Sequence, residues 1–255
     1  MLISGTVNTE VYSKRLLAAA SQAGFKAEFY GTAGDTALPV LTRRSDVPGA
    51  PEIYLSAGVH GNEPAGPMAL LELLRRKAFP DGLNYLLFPL VNPVGLAAGT
   101  RENGDGIDLN RDYGLAAQAP ETRAQLAWIK ERSFDLVICL HEDDDGEGFY
   151  LYAHCEDSAP HDYPALALKV AEPWTGIDLR EEIDAMPACN GLMAPPDSVL
   201  ARDRPDLPEA LRLRFYHGSR FTFTTETPSR LDLPRRIGAQ CAVVSAILHV
   251  FAGDR

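Results

Sequence analysis

Apolar and polar positions along the chain switch between helical and strand periods. Val11, Leu16, Leu17 and Ala20 recur at helical spacing within residues 9–23 and predict a helix that Gly24 stops. Residues 25–30 and 40–43 read as short strands, and the turn-rich Gly31–Asp35 between them predicts a hairpin. After a loop at 48–51, the apolar run 53–57 predicts a buried strand. Residues 64–77 carry Met68, Leu70, Leu71 and Leu74 on one face and Glu72, Arg75 and Arg76 on the other. That is an amphipathic helix, with Pro64 tolerated in its first turn. Residues 85–90 predict another buried strand, ended by a turn at Asn92-Pro93-Val94-Gly95. Residues 99–114, rich in Gly, Asn and Asp, predict an ordered, irregular loop.

Farther on, residues 121–132 predict a helix with Pro120 at its start. Residues 134–140 predict an apolar strand followed at once by His141. A helix over 163–171 and a proline-rich excursion over 187–208 come next. Long excursions in compact domains are often functional. Phe221 to Thr225 alternates aromatic and β-branched residues, a strand closed by Glu226, and residues 234–251 predict a final amphipathic helix. Strands alternating with helices imply an α/β fold, a mainly parallel sheet flanked by helices within a single domain spanning 1–255. Such sheets place their sites beyond the carboxyl ends of their strands.

Composition narrows the function classes. Hydrophobic residues make up 45% and charged residues 23% of the chain, as in globular proteins. A net charge of −11 disfavours nucleic acid and anionic membranes as partners. The N-terminus shows no signal-peptide pattern, and no run approaches the roughly 18 consecutive apolar residues of a membrane helix. Cys139, Cys155, Cys189 and Cys241 are widely spaced, as expected of reduced thiols in a cytoplasmic protein. No oligomeric state follows from the sequence.

The candidate chemistry gathers at predicted strand ends. His60 and Glu63 follow the strand at 53–57, His141 ends the strand at 134–140, and adjacent strands would bring them within reach of one metal. Two His and one Glu with an open position form a catalytic zinc arrangement. Such a metal lowers the pKa of its water and polarises a carbonyl. Glu226 is the candidate general base. Arg101 is the candidate oxyanion donor, and Asn110 with Arg111 suits capture of a substrate carboxylate. Against these stand plainer readings: a solvated strand-end acid, a surface loop charge, or an ion pair from Arg111 to Asp108 or Asp112. The acidic run Glu142, Asp143, Asp144, Asp145 and Glu147 is a solvated loop or a second metal site.

His60-Gly-Asn-Glu63, Asn92-Pro93-x-Gly95, Thr100-Arg101, Asp108-Leu109-Asn110-Arg111-Asp112, a strand ending in His141 and Phe-Thr-Phe-Thr-Thr-Glu226 occur in that order. This ordered set resembles the zinc carboxypeptidases of the carboxypeptidase A clan over roughly residues 50 to 230. The resemblance implies a mixed, mostly parallel sheet of about eight strands. It also implies Zn2+ on His60, Glu63 and His141, oxyanion stabilisation by Arg101, a carboxylate anchor at Asn110 and Arg111, and Glu226 as base. The substrate would be a small peptide with a free carboxylate. Val94 stands where the family carries an aspartate, which bears on the support of a ligand histidine. Tyr216 lies too close to Glu226 to match the substrate-covering tyrosine of digestive members, and no propeptide precedes the motif. An N-acyl amino acid deacylase, as in the aspartoacylase and succinylglutamate desuccinylase branch, is the alternative. That branch adds a β-rich domain after its glutamate, whereas residues 227–255 read as one helix. A non-catalytic zinc-binding protein is a third reading.

Overall fold

The computed structural model describes residues 2–3, 6–156 and 161–253. Strands β1 (Leu2–Ile3) and β2 (Thr6–Val7) lead into α1 (Thr9–Gln22), where the Asn8 side chain accepts the Val11 N–H as an N-cap. The expected hairpin forms from β3 (Lys26–Ala33) and β4 (Thr36–Arg43). There follow β5 (Glu52–Ala57), α2 (Ala65–Arg75), β6 (Asn84–Phe88), α3 (Pro93–Ala98), α4 (Pro120–Ile129), β7 (Leu136–Asp143) and β8 (Tyr150–Cys155). The remainder runs α5 (Tyr163–Thr175), β9 (Glu182–Ile183), β10 (Met186–Pro187), β11 (Leu192–Met193), α6 (Glu209–Tyr216), β12 (Phe221–Pro228) and α7 (Leu233–Gly253).

Among the described residues, eight strands form one mixed sheet in the order β11-β8-β12-β7-β5-β6-β4-β3. The centre, β12-β7-β5-β6, is parallel throughout, and antiparallel pairs join β8 to β12, β6 to β4 and β4 to β3. Strand alternation builds the layers. Ile53, Leu55, Tyr85, Leu87, Leu136 and Ile138 face one core with α1, α2, α5 and α7. Tyr54, Leu86, Phe88, Val137 and Cys139 face a second core with residues of α4 and α6. Central strands buried on both sides explain why 53–57 and 134–140 read as near-continuous apolar runs.

Several expectations need correction. Asn92-Pro93-Val94-Gly95 is not a free turn but the start of α3, with Asn92 accepting the Gly95 N–H and Pro93 in the first turn. Strands β7 and β12 continue through His141 and Glu226 rather than ending before them. The region after 150 holds β8 and α6, which periodicity did not reveal. By length and mean hydropathy of 1.4, α7 reaches what a membrane span requires, although no uninterrupted run does. Half of that stretch is buried, with the helix lying against α5 and α2 as a core element. All four cysteines are free thiols.

One buried ion pair ties this framework together near the strand ends. Glu142 accepts the Ala65 N–H at the start of α2 at 2.7 Å and pairs with Arg236 of α7. Burial pushes the Glu142 carboxyl up to about 7 even against the pull of Arg236. Arg236→Met would leave this buried carboxylate without its counter-charge, so urea unfolding should show a loss of about 3 kcal/mol. Adding Glu142→Leu should recover most of it.

Candidate active site

The His60–Glu63 segment leaves β5 through Gly58, whose φ of +69° turns the chain back across the strand ends. Gly61 cannot be replaced in place, because a Cβ there would lie 1.9 Å from the Gly95 carbonyl carbon. The motif thus packs backbone to backbone on the first turn of α3, whereas a Cβ on Gly95 would itself meet the Asn92 side chain at 2.4 Å and the Glu102 carbonyl oxygen at 2.7 Å. Leu140 of β7 pairs with Ala57 of β5, so His141 emerges one step beyond, beside the returning motif. Glu226 of β12 is the direct cross-strand partner of His141.

These placements converge. His60 Nδ1 lies 2.5 Å from Glu63 Oε1 and His141 Nδ1 lies 2.9 Å from Glu63 Oε2. The potential ligand atoms of the three residues all fall within 4.8 Å of one another, and all three side chains are buried. Burial works against a charged His60, but the Glu63 and Asp108 carboxylates outweigh it and push its pKa up to about 8. His141 moves upward for the same reason, with Glu63 the main attraction. Three buried, convergent groups of this chemistry fit a divalent metal of the borderline type, because a cation would relieve the charge they concentrate. The acidic run 142–147 does not gather in this way. Glu142 turns to Arg236, Asp143 accepts from the Tyr150 hydroxyl, and the triad is the only such group among the described residues.

Support for His60 comes from Asp108, whose Oδ1 sits 3.0 Å from Nε2. A carboxylate on Nε2 holds the proton there and leaves the Nδ1 lone pair facing Glu63 and His141. Burial notwithstanding, its bonds to His60 and Arg101 hold Asp108 well below the usual carboxylate range. The valine at 94 therefore does not deprive the histidine of support: Val94 packs against Gly34 and Gly104, and the partner of His60 is Asp108. Asp108→Asn should weaken metal binding about 10- to 100-fold, measured by competition with a chromogenic chelator.

Arg101 donates through Nε to Asp108 Oδ2 at 2.9 Å, and its Nη1 lies 3.9 Å from Glu63 Oε1, so the guanidinium leans over the triad. Asn110 Oδ1 accepts the Glu209 N–H at 2.9 Å, which leaves its amide N–H groups for the cleft. Glu209 is itself buried and held by Tyr54, Ser56 and Gln125. Arg111 is exposed and donates to its neighbour's carbonyl. Among the described residues it pairs with neither Asp108 nor Asp112. Burial, reinforced by Glu63 and Asp143, raises the Glu226 carboxyl well above its ordinary range, with His141 pulling the other way.

All seven residues expected from the sequence line one cleft of about 710 Å³. The cleft also contains Tyr150, Tyr152, His154, Asp184 and Arg204, which sequence reasoning missed. The alternation of Tyr150, Tyr152 and His154 was the available signal. Tyr216 lies elsewhere, bonded to Asp203 and stacked by Arg202 and Arg212. A groove of similar size between α1, α2 and α7 contains none of the seven.

Residues 49–173 match the succinylglutamate desuccinylase/aspartoacylase catalytic domain. Carboxypeptidase SOL1 of Arabidopsis thaliana is 25% identical over 124 residues, covering 41% of this chain and 25% of that protein. The match thus spans about a quarter of that relative's length. Among solved structures, a protein of Shewanella baltica OS155 assigned as a metallopeptidase superposes with a TM-score of 0.81 at 24% identity, covering 95% and 92% of the two chains. A metallo-carboxypeptidase from Pseudomonas aeruginosa, in complex with (2-guanidinoethylmercapto)succinic acid, gives 0.69 at 16% identity, covering 95% of this chain and 68% of that one. With the sheet order, the domain match over residues 49–173 and these neighbours in agreement, the chain has the fold of the metallocarboxypeptidases and is similar to that family near its succinylglutamate desuccinylase/aspartoacylase branch.

Proposed function

We propose that this protein is a zinc-dependent hydrolase that cleaves the amide bond next to a free carboxylate, releasing the C-terminal residue of a small peptide. The observation that carries the reading is the convergence of His60, Glu63 and His141 at the floor of a cleft that also contains Glu226, Arg101, Asn110 and Arg111. A divalent zinc ion held by His60, Glu63 and His141 would supply Lewis-acid polarisation of the scissile carbonyl and a more acidic water.

The chain's own groups do the rest. Glu226 takes a proton from the attacking water and delivers it to the leaving nitrogen, a role suited to a carboxyl whose burial has raised its proton affinity. Arg101 donates to the carbonyl oxygen as negative charge develops there, and Asp108 holds the guanidinium in place for it. Arg111 and the Asn110 amide grip the terminal carboxylate, which sets which bond lies over the floor of the cleft.

Arg111→Ala should raise KM for free-carboxylate substrates by about 10- to 100-fold, the value of a charge-assisted contact, with a much smaller change in kcat. Steady-state kinetics on matched free and amidated peptides would show this; an unchanged KM would remove the anchor.

The domain match favours a second reading, removal of an acyl group from an N-acyl amino acid by the same groups. Mass spectrometry of free-carboxylate peptides, amidated peptides and N-acyl amino acids, each with and without chelator, separates the two. Chelator-sensitive loss of one residue from the free-carboxylate peptides alone supports the peptidase. Turnover confined to N-acyl amino acids supports the deacylase.

A further inference from the structure

Glu209 opens α6 at the wall of the cleft, yet its side chain turns away from it. Its neighbours Pro208, Ala210 and Leu211 line the cleft, whereas Glu209 is 0% exposed. Its Oε1 accepts the Tyr54 hydroxyl at 2.5 Å and the Gln125 amide at 2.8 Å, and its Oε2 accepts the Ser56 hydroxyl at 2.8 Å. All three donors are neutral groups. The direction of these bonds is set from the far end. The Tyr113 hydroxyl donates to Gln125 Oε1 at 2.6 Å, which turns the Gln125 nitrogen toward Tyr54 and Glu209. Burial, reinforced by Glu209, raises Tyr54 well above its usual range and keeps its proton in place as a donor. A buried carboxyl group satisfied in this way is held firmly, because breaking one bond strands a polar group away from water.

Through its main chain the same residue reaches the candidate carboxylate anchor. The Glu209 N–H donates to Asn110 Oδ1 at 2.9 Å. A backbone N–H can only donate, so the Asn110 oxygen is fixed there and its two amide N–H bonds point elsewhere. The Leu207 carbonyl accepts the Tyr113 N–H at 3.1 Å, and a Cβ on Gly114 would lie 2.4 Å from the Pro205 oxygen. Residues 205–209 therefore lie tightly along 110–114. The Asn110 N–H in turn donates to Asp108 Oδ1, the same atom that faces His60 Nε2. Tyr54 and Ser56 belong to β5, the strand that leads into His60. The contacts thus close a ring from β5 through Glu209, Asn110 and Asp108 to His60.

We infer that Glu209 is a positioning residue. Its buried carboxyl group pins the start of α6 to β5, and its N–H sets the Asn110 amide, so that the carboxylate anchor stands at a fixed place relative to His60. The inference rests on the anchor role of Asn110 in the reading above, which the peptidase and the deacylase share.

The test is steady-state kinetics of the zinc-loaded full-length protein on an N-blocked dipeptide and an N-acetyl amino acid with free carboxylates, followed on the one that is turned over. Glu209→Leu should raise KM about tenfold, the scale of one charge-assisted contact, with kcat changed less than about threefold. Glu209→Gln should stay within about threefold of the parent KM. Its carbonyl oxygen still accepts from Tyr54 and Gln125, and its amide can donate to the Ser56 hydroxyl. The deciding measurement is a double-mutant cycle with Asn110→Ala. A residue that acts through Asn110 has nothing left to orient in that background, so Glu209→Leu should then change KM by less than about twofold. A role confined to stability would lower Tm equally in both backgrounds and leave KM alone. If Glu209→Leu does not fold, Tyr54→Phe with Ser56→Ala removes two of the three donors at nearly constant volume and enters the same cycle. An unmoved KM in a folded variant, or an equal rise in both backgrounds, overturns the inference while leaving the anchor intact. A parental KM in Asn110→Ala alone overturns the anchor role and the inference with it.

Discussion

Glu226→Gln is expected to abolish turnover, with kcat falling by about three orders of magnitude or more while metal content stays stoichiometric. The amide is isosteric and can still hydrogen-bond, but it cannot take a proton from water or hand one to a leaving nitrogen. The fold should not notice the change. Glu226 is not among the residues that converge on the candidate metal position, and its strand is held by backbone pairing to β7 and β8 on both sides. Removing the charge also relieves the burial that raises its pKa, so the variant should be no less stable than the parent. Metal analysis, thermal unfolding and kcat on one substrate distinguish the outcomes. Full activity in the variant would move the base role to another group. Joint loss of metal and activity would mean that Glu226 contributes to binding the ion.

Metal removal should have the second-largest effect. A chelator is expected to eliminate hydrolysis and to lower Tm, with both restored by added zinc. His60, Glu63 and His141 are buried and press one carboxylate between two imidazoles, so an ion bound there stabilises the folded chain by mass action. At free metal about 100-fold above Kd this amounts to about 2.7 kcal/mol. For a chain of this size that is a shift of about 5–10 °C in Tm. Scanning fluorimetry over a zinc titration reads it directly. Restored activity without any Tm shift would show that the ion acts from outside this buried triad.

Much of the site was legible because its motifs are local. His60 and Glu63 sit on one short turn after a strand whose apolar run is unmistakable, and Asp108 to Arg111 share one 3-10 turn. His141 was legible through the unbroken apolar stretch of its buried parallel strand, and Glu226 through the alternation of aromatic and β-branched residues from Phe221 to Thr225. Their place inside those strands, rather than just past them, was not legible. Pairing of β12 with β7 runs on through Pro228 and Asp143, and that extension depends on the neighbour strand. Likewise Asn92 to Gly95 carries turn residues, yet capping and the close packing of Gly61 make it a helix start.

By itself, then, the sequence determined the alternating α/β order, the chemistry at the strand ends and the order of the motifs, because each depends on residues within about one element of each other. Only the tertiary structure decided how they meet. It placed β8 antiparallel beside β12, which assembles Tyr150, Tyr152 and His154 into one wall of the cleft. It also folded the β9–β10 hairpin over that wall, gave His60 its Asp108 and set Glu142 against Arg236. Those partners are 32, 48 and 94 positions apart for Tyr152–Asp184, His60–Asp108 and Glu142–Arg236 respectively. Contacts at such separations leave no periodic trace in the chain, because they are chosen by the packing of whole elements and not by the spacing of neighbours.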